Sequence, residues 1–301
     1  MKNLNLKYLS LIFIFFVLSM PNFSRAAISF TDGKWETTFK CPNEWQGGDG
    51  AIICSDGVFN RYLDGACIGT TGDKLVQIVN VANYSSGGGG MGMRQWYGNG
   101  KNNKSGGIGI TFPSAQSEVW MRWYQRADAG LQDGLNQGET KTLYFKHGDS
   151  LNALSFGLIG TDQWRFWLVA TDSSTPISIE GYGWASLISQ KNWEAVEVHI
   201  KADTNNSNGV LQAWVNSTLI MNITNADTAP TSAGWTGIEF PSNHDIFTNE
   251  ACAPIDHDDV VIYNLTPPGR DASNNPFIGP IGWVNAGDEI APGSPTGLSI
   301  L

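Results

Sequence analysis

The sequence lacks the features that mark several common classes of protein. After residue 26 it has no apolar run long enough to cross a bilayer. Positive charge is scarce, because 18 Lys and Arg stand against 28 Asp and Glu in 301 residues, for a formal net charge of −10. This balance argues against binding to nucleic acid or to an anionic membrane surface, since both require basic surfaces. An anionic substrate would need a local cluster of basic side chains.

Motifs for metal-ion sites are also absent. No Cys-x-x-Cys spacing supports a zinc site, and no EF-hand loop is present. The chain contains only four cysteines, Cys41, Cys54, Cys67 and Cys252. An even number in an exported protein predicts two disulfides, for which three pairings are possible. We expect Cys54 to pair with Cys67, and Cys41 to pair with Cys252.

The first 26 residues have the pattern of a secretory signal peptide. Lys2 and Lys7 give a positive start, Leu9–Met20 is a short apolar run, and Ser24-Arg25-Ala26 offers a small-x-small cleavage site. An uncleaved membrane anchor is the alternative, but the apolar run is short for it. We therefore expect a secreted protein, extracellular or periplasmic. The signal segment holds three basic and no acidic residues, so the mature chain has a net charge of −13.

Short alternating segments between turns predict an all-β domain. No long helical pattern is evident, and the chain contains 35 glycines. This combination is typical of a sandwich or barrel. The predicted strands are 74–81, 91–97, 108–112, 118–126, 141–146, 153–159, 164–170, 193–201, 209–216, 218–223 and 258–264.

The chain divides into three parts by composition. Residues 1–26 are the signal peptide, and 27–265 form one predicted domain. Residues 266–301 are rich in Pro, Gly and Asn and are interpreted as a tail or linker. The last residues look like the lead-in to a fibronectin type III module.

The segment 118–126, "EVWMRWYQR", combines two types of face. In a strand, Val119, Met121 and Trp123 point to one side. The opposite side has Trp120, Arg122, Tyr124 and Arg126. The first face is typical of a core, whereas the second is typical of a binding surface.

The paired strands of 193–220, together with 105–126 and 258–265, resemble the concanavalin A-like lectin/glucanase superfamily. Laminin-G-like modules and jelly-roll polysaccharide lyases belong to this group. The resemblance implies a two-sheet antiparallel jelly-roll sandwich whose curved sheet forms a groove for a glycan. The fold hosts enzymes, lectins and adhesion modules alike, so it does not by itself give an activity.

The predicted groove combines flat aromatic side chains with arginines. Trp120, Arg122, Tyr124 and Arg126 would line it, and Arg94, Gln95 and Tyr97 in "MRQWYG" would form a second binding strand. Aromatic rings suit sugar faces, and guanidinium groups bind carboxylates or sulfates. The alternative is that these side chains pack under a loop or form cross-strand pairs on a surface.

The chemistry that these groups could perform is β-elimination. The E-x-D-x-x-E motif of laminarinase-like hydrolases is absent, which disfavours hydrolysis by two carboxylates. A uronate lyase must neutralise a carboxylate, remove the adjacent proton and protonate the leaving oxygen. We assign these roles to Arg122, Tyr124 and His147. The alternative for His147 is a turn residue that is hydrogen-bonded to Asp149.

A structural calcium ion is the one cofactor that the resemblance implies. Asp259 and Glu36 match the carboxylates that hold such an ion on the convex side of relatives. The alternative is a solvated acidic turn. The sequence thus predicts a secreted protein that recognises an extracellular polysaccharide, with a lyase as the leading hypothesis. The alternatives are a non-catalytic carbohydrate-binding module and an adhesion module that binds protein.

Overall fold

The structure is a computed structural model, and it describes fifteen stretches of the chain. These are residues 27–43, 45–46, 51–55, 57–62, 76–84, 90–97, 107–127, 139–147, 150–159, 163–169, 178–183, 192–228, 234–241, 244–245 and 253–283. The predicted signal peptide lies outside them. No helix within these stretches is long and apolar enough to span a membrane.

The described residues form strands almost throughout. The strands are β1 (Lys34–Thr37), β2 (Trp45–Gln46), β3 (Ala51–Cys54), β4 (Gly57–Tyr62), β5 (Val76–Val79), β6 (Gly92–Tyr97), β7 (Gly107–Gln116), β8 (Glu118–Ala127), β9 (Glu139–His147), β10 (Ser150–Ile159), β11 (Gln163–Val169), β12 (Ser178–Gly183), β13 (Glu194–Lys201), β14 (Gly209–Val215), β15 (Thr218–Ala226), β16 (Trp235–Phe240), β17 (His244–Asp245) and β18 (Ala253–Tyr263). One turn of 3-10 helix, Asn80–Ala82, follows β5.

Two antiparallel sheets make up the molecule. The first sheet has the order β15-β14-β13-β8-β18-β6-β5-β2, and β1 pairs with one end of β18. The second sheet has the order β12-β11-β10-β9-β16-β7-β4-β3, and β17 pairs with β9. Neighbours in space are often distant in sequence, as in a jelly roll. The predicted fold class, an all-β two-sheet jelly-roll sandwich, is confirmed.

The core lies between the two sheets and follows the alternation of each strand. Val119, Met121 and Trp123 of β8 point into it, as predicted from the period-2 pattern. The second sheet contributes Phe156 and Phe240, and the Phe240 ring centroid lies 5.3 Å from that of Trp123. Burial of these large side chains from both sheets is the main stabilising term of such a sandwich.

The segment Thr266–Trp283, which we call the C-terminal strap, lies against the outer face of the first sheet. Phe277 is buried, and its ring centroid lies 5.4 Å from that of Trp214 on β14. The Trp214 indole donates a hydrogen bond of 2.8 Å to Asp271 Oδ2. The strap therefore packs on the domain that we predicted to end at residue 265.

The predicted disulfide pairing is wrong. Cys41 is bonded to Cys54, with the two Cα atoms 4.2 Å apart. The two cysteines are 13 residues apart in sequence, and the end of β3 lies beside the segment that follows β1. There, Ser55 N donates a hydrogen bond to the Lys40 carbonyl. Cys67 and Cys252 lie outside the described residues.

Candidate functional site

The predicted groove on β8 is not an open surface. Trp120, Arg122 and Tyr124 are only 2%, 5% and 4% exposed. They do lie on the outer face of the first sheet, away from the core, as the alternation predicts. The C-terminal strap covers this face, because a Pro- and Gly-rich segment can approach a sheet closely and bond through its own backbone. The groove interpretation is therefore corrected to a covered face.

Arg122 and Tyr124 bind the strap backbone. The Tyr124 hydroxyl accepts a hydrogen bond of 2.7 Å from Ile281 N, and Arg122 Nη1 donates to the Gly279 carbonyl at 3.3 Å. Burial raises the pKa of Tyr124 to about 12, which makes it a poor proton acceptor at neutral pH. Both side chains therefore have a structural role, in which they hold the strap, and this role does not require a substrate.

The remaining predicted groove residues are divided between an ion cluster and the core. Arg94 Nε and Arg126 Nη2 lie 2.7 and 2.6 Å from the two oxygens of Asp256. Gln95 is fully buried, and alternation along β6 puts it on the core-facing side together with Met93. The side chain of Tyr97 lies outside the part of the chain that the structure describes. The two arginines are partly exposed and share the single carboxylate of Asp256.

His147 and Tyr124 lie on different sheets. His147 ends β9 in the second sheet, whereas Tyr124 is on β8 in the first. Alternation along β9 puts His147 on the same side as the core residues Leu143 and Phe145. The two residues therefore cannot act together as acid and base on one sugar.

A different set of polar side chains occupies the outer face of the second sheet. Tyr144 and Lys146 alternate with the core residues of β9, and both are half-buried. Lys146 Nζ lies 2.8 Å from Glu239 Oε2 on the neighbouring strand β16. Glu239 is directly opposite Tyr144 in the β9–β16 pairing. A phenol, an ammonium and a carboxylate thus meet on one partly exposed patch, which we call the β9–β16 cluster.

Three glycines lie near this cluster on the same side of the sheet. Gly109 on β7 is opposite Glu239, and Gly237 on β16 is opposite Lys146. On the other side, Gly157 of β10 is in register with β9 and β11. Gly109 is partly exposed, whereas Gly157 and Gly237 are buried, so the open part of this face among the described residues lies at Gly109 and the β9–β16 cluster. The outer face of the second sheet is therefore the best candidate for a binding surface.

The row that contains Tyr144 crosses several strands. Ser155 of β10 is opposite Tyr144, and the register continues to Trp167 of β11. On the other side, Gly109 is opposite Asn60 of β4. Ser155 is fully buried, so the partly exposed stretch of this row among the described side chains runs from Gly109 through Glu239 to Tyr144, across neighbouring strands that are about 4.8 Å apart.

Sequence reasoning placed Lys146 and Tyr144 in a strand but gave them no role. The signal was available, since "LYFKH" alternates two apolar residues with a tyrosine and a lysine, as "EVWMRWYQR" does. The sequence did not show which of the two polar faces stays exposed, because that depends on which sheet the strap covers. Glu239 could not be found in the same way, because its approach to Lys146 depends on the β9–β16 pairing across a long sequence separation.

The two predicted calcium ligands line one pocket. Glu36 of β1 and Asp259 of β18 both border a pocket of about 270 Å³ on the outer side of the first sheet. Asp259 Oδ2 is buried without a hydrogen-bond partner, and burial raises the pKa of this carboxyl to about 6. Lys34 Nζ lies 2.5 Å from Glu36 Oε2, so a cation would replace this ion pair. Carboxylate oxygens are the donors that calcium prefers, but carbonyl and water oxygens would have to complete this site, since the described residues contain no group of three His, Cys, Asp or Glu side chains placed to hold a metal ion.

Comparison with known proteins gives structural likenesses only. No family model matches the chain, and no curated protein matches it. The alginate lyase Aly36B is 15% identical, covers 77% of this chain and 98% of its own, and has a TM-score of 0.49. The cellulose-induced protein Cip1 is 16% identical over 69% of this chain and 91% of its own, with a TM-score of 0.47. An alginate lyase of the PL-14 type from Aplysia kurodai is 12% identical over 69% and 90%, with a TM-score of 0.46. At these identities and scores, the likenesses assign no activity to this chain.

Proposed function

We propose that this protein is secreted and binds an extracellular polysaccharide across the outer face of its second sheet. We further propose that it cleaves a uronate-containing polymer by β-elimination. The observation that carries the proposal is the β9–β16 cluster, in which Tyr144, Lys146 and Glu239 share a partly exposed, glycine-lined face.

The composition of this face suits a sugar polymer. Tyr144 offers an aromatic face and a hydroxyl, and Lys146 offers a charged donor for a carboxylate or hydroxyl. Gly109, which is partly exposed opposite Glu239, allows a pyranose ring to lie close to the sheet at this point.

The elimination needs few protein groups. A base removes the proton from C5 of the uronate, the C4–O bond breaks, a C4=C5 double bond forms, and the leaving oxygen takes up a proton. Lys146 stabilises the negative charge that develops next to the carboxylate, and Tyr144 exchanges protons with the sugar. Glu239 holds the ammonium of Lys146 in place. No oxidant or water is consumed.

Binding without cleavage is the second candidate. Lys146 is already paired with Glu239 at 2.8 Å, which reduces its attraction for a uronate carboxylate. A paired lysine and carboxylate are well suited to hydrogen-bond the hydroxyls of a neutral glycan. A non-catalytic carbohydrate-binding module would need nothing more than this and an aromatic ring.

The test uses the mature chain, residues 27–301, with alginate, glucuronan, pectate and a neutral glucan. We expect ultraviolet absorbance to rise with one uronate polymer as unsaturated ends form. Tyr144→Phe and Lys146→Ala should abolish the rise, whereas Tyr124→Phe, on the covered face, should retain it. Binding to a polymer without any rise would overturn the lyase and support the binding module. Neither binding nor cleavage with any polymer would overturn the proposed function.

We also propose that Glu36 and Asp259 hold a structural calcium ion. The support is the unpartnered Oδ2 of Asp259 and the approach of β1 and β18 in one pocket. When bound, the ion would supply charge neutralisation and cross-linking, remote from the β9–β16 cluster. Arg122 lies in the same pocket and partly balances Asp259 already.

A further inference from the structure

A buried chain of hydrogen bonds runs under the C-terminal strap. His199 on β13 is 4% exposed, and the Trp120 ring stacks on it with centroids 4.1 Å apart. His199 Nε2 lies 2.8 Å from Glu118 Oε1, and Nδ1 lies 2.7 Å from Gln212 Oε1. Both ring nitrogens therefore face an oxygen.

The orientation of Gln212 is fixed from the strap. Asp271 accepts two hydrogen bonds from the Asn275 side-chain amide, at 3.0 and 3.3 Å. A carboxylate can only accept, so Asn275 must turn its Nδ2 to Asp271 and its Oδ1 outward. Gln212 Nε2 donates to this Oδ1 at 3.3 Å and to Asn222 Oδ1 at 2.9 Å. Gln212 Oε1 is thereby left pointing at His199.

The chain consequently has a fixed direction between two carboxylates. Asp271 at the strap end and Glu118 at the rim both accept, and every amide between them is already oriented. Both nitrogens of His199 must carry hydrogen for all the contacts to form. If His199 loses one proton, two acceptors face each other at some point in the chain. If the Gln212 amide flips, its oxygen faces Asn275 Oδ1. If the Asn275 amide flips as well, its oxygen faces the Asp271 carboxylate, so two acceptors still oppose each other.

We propose that the doubly protonated His199 is a latch that holds the C-terminal strap on the first sheet, so that the strap is bound more tightly in acid. Loss of the proton breaks one hydrogen bond of the chain and weakens the attachment of the turn Asp271–Asn275. Opening would expose the face that contains Trp120, Arg122 and Tyr124. The proposal concerns the first sheet and does not depend on activity at the β9–β16 cluster.

The charges around His199 are consistent with this direction. Two carboxylates, Glu118 on β8 and Asp271 on the strap, favour an imidazolium, whereas Arg122 and Lys201 oppose it. Glu197 on β13 adds negative charge only after it loses its proton, because burial raises its pKa to about 8. Gln212 on β14 is neutral. These five charged groups belong to β8, β13 and the strap, and they lie on the same outer face.

Glu197 adds to the effect through a second contact. Its two carboxyl oxygens accept hydrogen bonds from Ile278 N at 2.7 Å and Gly279 N at 2.9 Å. Burial raises the pKa of Glu197 to about 8. Docking of the strap thus favours proton uptake at Glu197 as well, with the same sign as at His199.

The test measures hydrogen-exchange protection in the full mature chain from about pH 5 to about pH 8, the interval in which imidazoles ordinarily change charge. Protection factors correct for the intrinsic pH dependence of exchange. We expect the strap amides Asn275, Phe277, Ile278 and Gly279 to lose roughly tenfold in protection as the pH rises, while amides of the β13–β14 pair change less.

Two variants separate the contributions. His199→Gln cannot change charge, so the pH dependence in the strap should fall to the part that Glu197 supplies, and Glu197→Gln should remove only that part. An unchanged pH dependence in His199→Gln would overturn the latch. So would a strap that exchanges only together with the β13–β14 core, because it would then have no separate opening. If His199→Gln fails to fold, the histidine ring signals of the wild-type chain decide: a ring that carries one hydrogen while the strap stays protected also overturns it.

Discussion

Glu197 is the buried carboxyl with the clearest effect on stability. Its pKa rises from 4.5 in the unfolded reference to about 8 in the folded chain, because burial disfavours the charged form. The folded state therefore binds more protons than the unfolded state between these values, and the free energy of unfolding falls as the pH rises. From about pH 6 to about pH 8, we expect a decrease on the order of 1 to 2 kcal/mol.

Glu197→Gln should remove this decrease, as measured by urea unfolding at each pH. The glutamine keeps an acceptor for Ile278 or Gly279 but does not titrate. Asp259 also has a raised pKa, of about 6, so its contribution falls mostly below this window. A variant with the same slope as the wild-type chain would contradict the assignment to Glu197.

Tyr124 tests the difference between a structural and a catalytic tyrosine. Tyr124→Phe removes the acceptor for Ile281 N and should cost about 1 kcal/mol of stability, measured by urea unfolding. Tyr144→Phe, on the partly exposed face, should cost less stability but abolish cleavage of the polymer. If Tyr124→Phe abolished cleavage in a folded protein, the assignment of the active face to the second sheet would be wrong.

At single residues, the sequence predicted which side of a strand a side chain occupies but not what covers it. Val119, Met121 and Trp123 are in the core as expected. Trp120 and Arg122 have the composition of a binding surface, yet the strap buries them. Alternation gives the two faces of a strand, whereas the cover comes from a segment more than 140 residues away in sequence, as the Arg122–Gly279 contact shows with a separation of 157.

At the level of elements, periodicity predicted the strands well because each is a local pattern. All eleven predicted segments overlap observed strands, and 118–126 differs from β8 by one residue. Short strands such as β1 and β3 were missed, since four residues give too little alternation to recognise. The pairing of strands, which creates the β9–β16 cluster, could not be obtained from any single segment.

Gly237 provides a prediction for the pairing of β16 with β7. A Cβ atom at this position would lie 2.6 Å from the Ile110 carbonyl oxygen, so Gly237→Ala must push the two strands apart. We expect a loss of about 1 to 3 kcal/mol in stability and weaker polymer binding, because Glu239 lies two residues on. Calorimetry and a binding assay measure these effects, with the exposed Asn192→Ala as control. Unchanged stability would contradict the close strand approach.

For the whole molecule, a calcium ion would join elements from opposite ends of the chain. Glu36 of β1, Asp259 of β18 and residues 278–281 of the strap border one pocket. At a concentration about 100 times its dissociation constant, calcium should add about 2.7 kcal/mol of stability. The melting temperature should then rise by about 5 to 10 °C. Asp259→Asn should abolish the rise, and asparagine tolerates the positive φ of 47° at this position. An equal rise in this variant would place the ion elsewhere.

The strap itself could not be predicted as part of the domain, because it has no periodic pattern. Its attachment uses backbone groups of Ile278, Gly279 and Ile281, which leave no trace in the choice of side chains. Pro and Gly enrichment, taken as the mark of a linker, is equally compatible with a segment that packs closely. Pro267, Asp271 and Phe277 are the strap's buried side chains.

Truncation measures how far the domain extends. A chain of residues 27–283 should melt at the same temperature as 27–301, whereas 27–265 should melt on the order of 10 °C lower or fail to fold. The reason is that 27–265 loses Phe277 from its contact with Trp214 and leaves the buried Glu197 and Arg122 without their strap partners. Phe277→Ala in the longer chain gives an intermediate control. If 27–265 were as stable as 27–283, the strap would be an appendage and the boundary at 265 would stand.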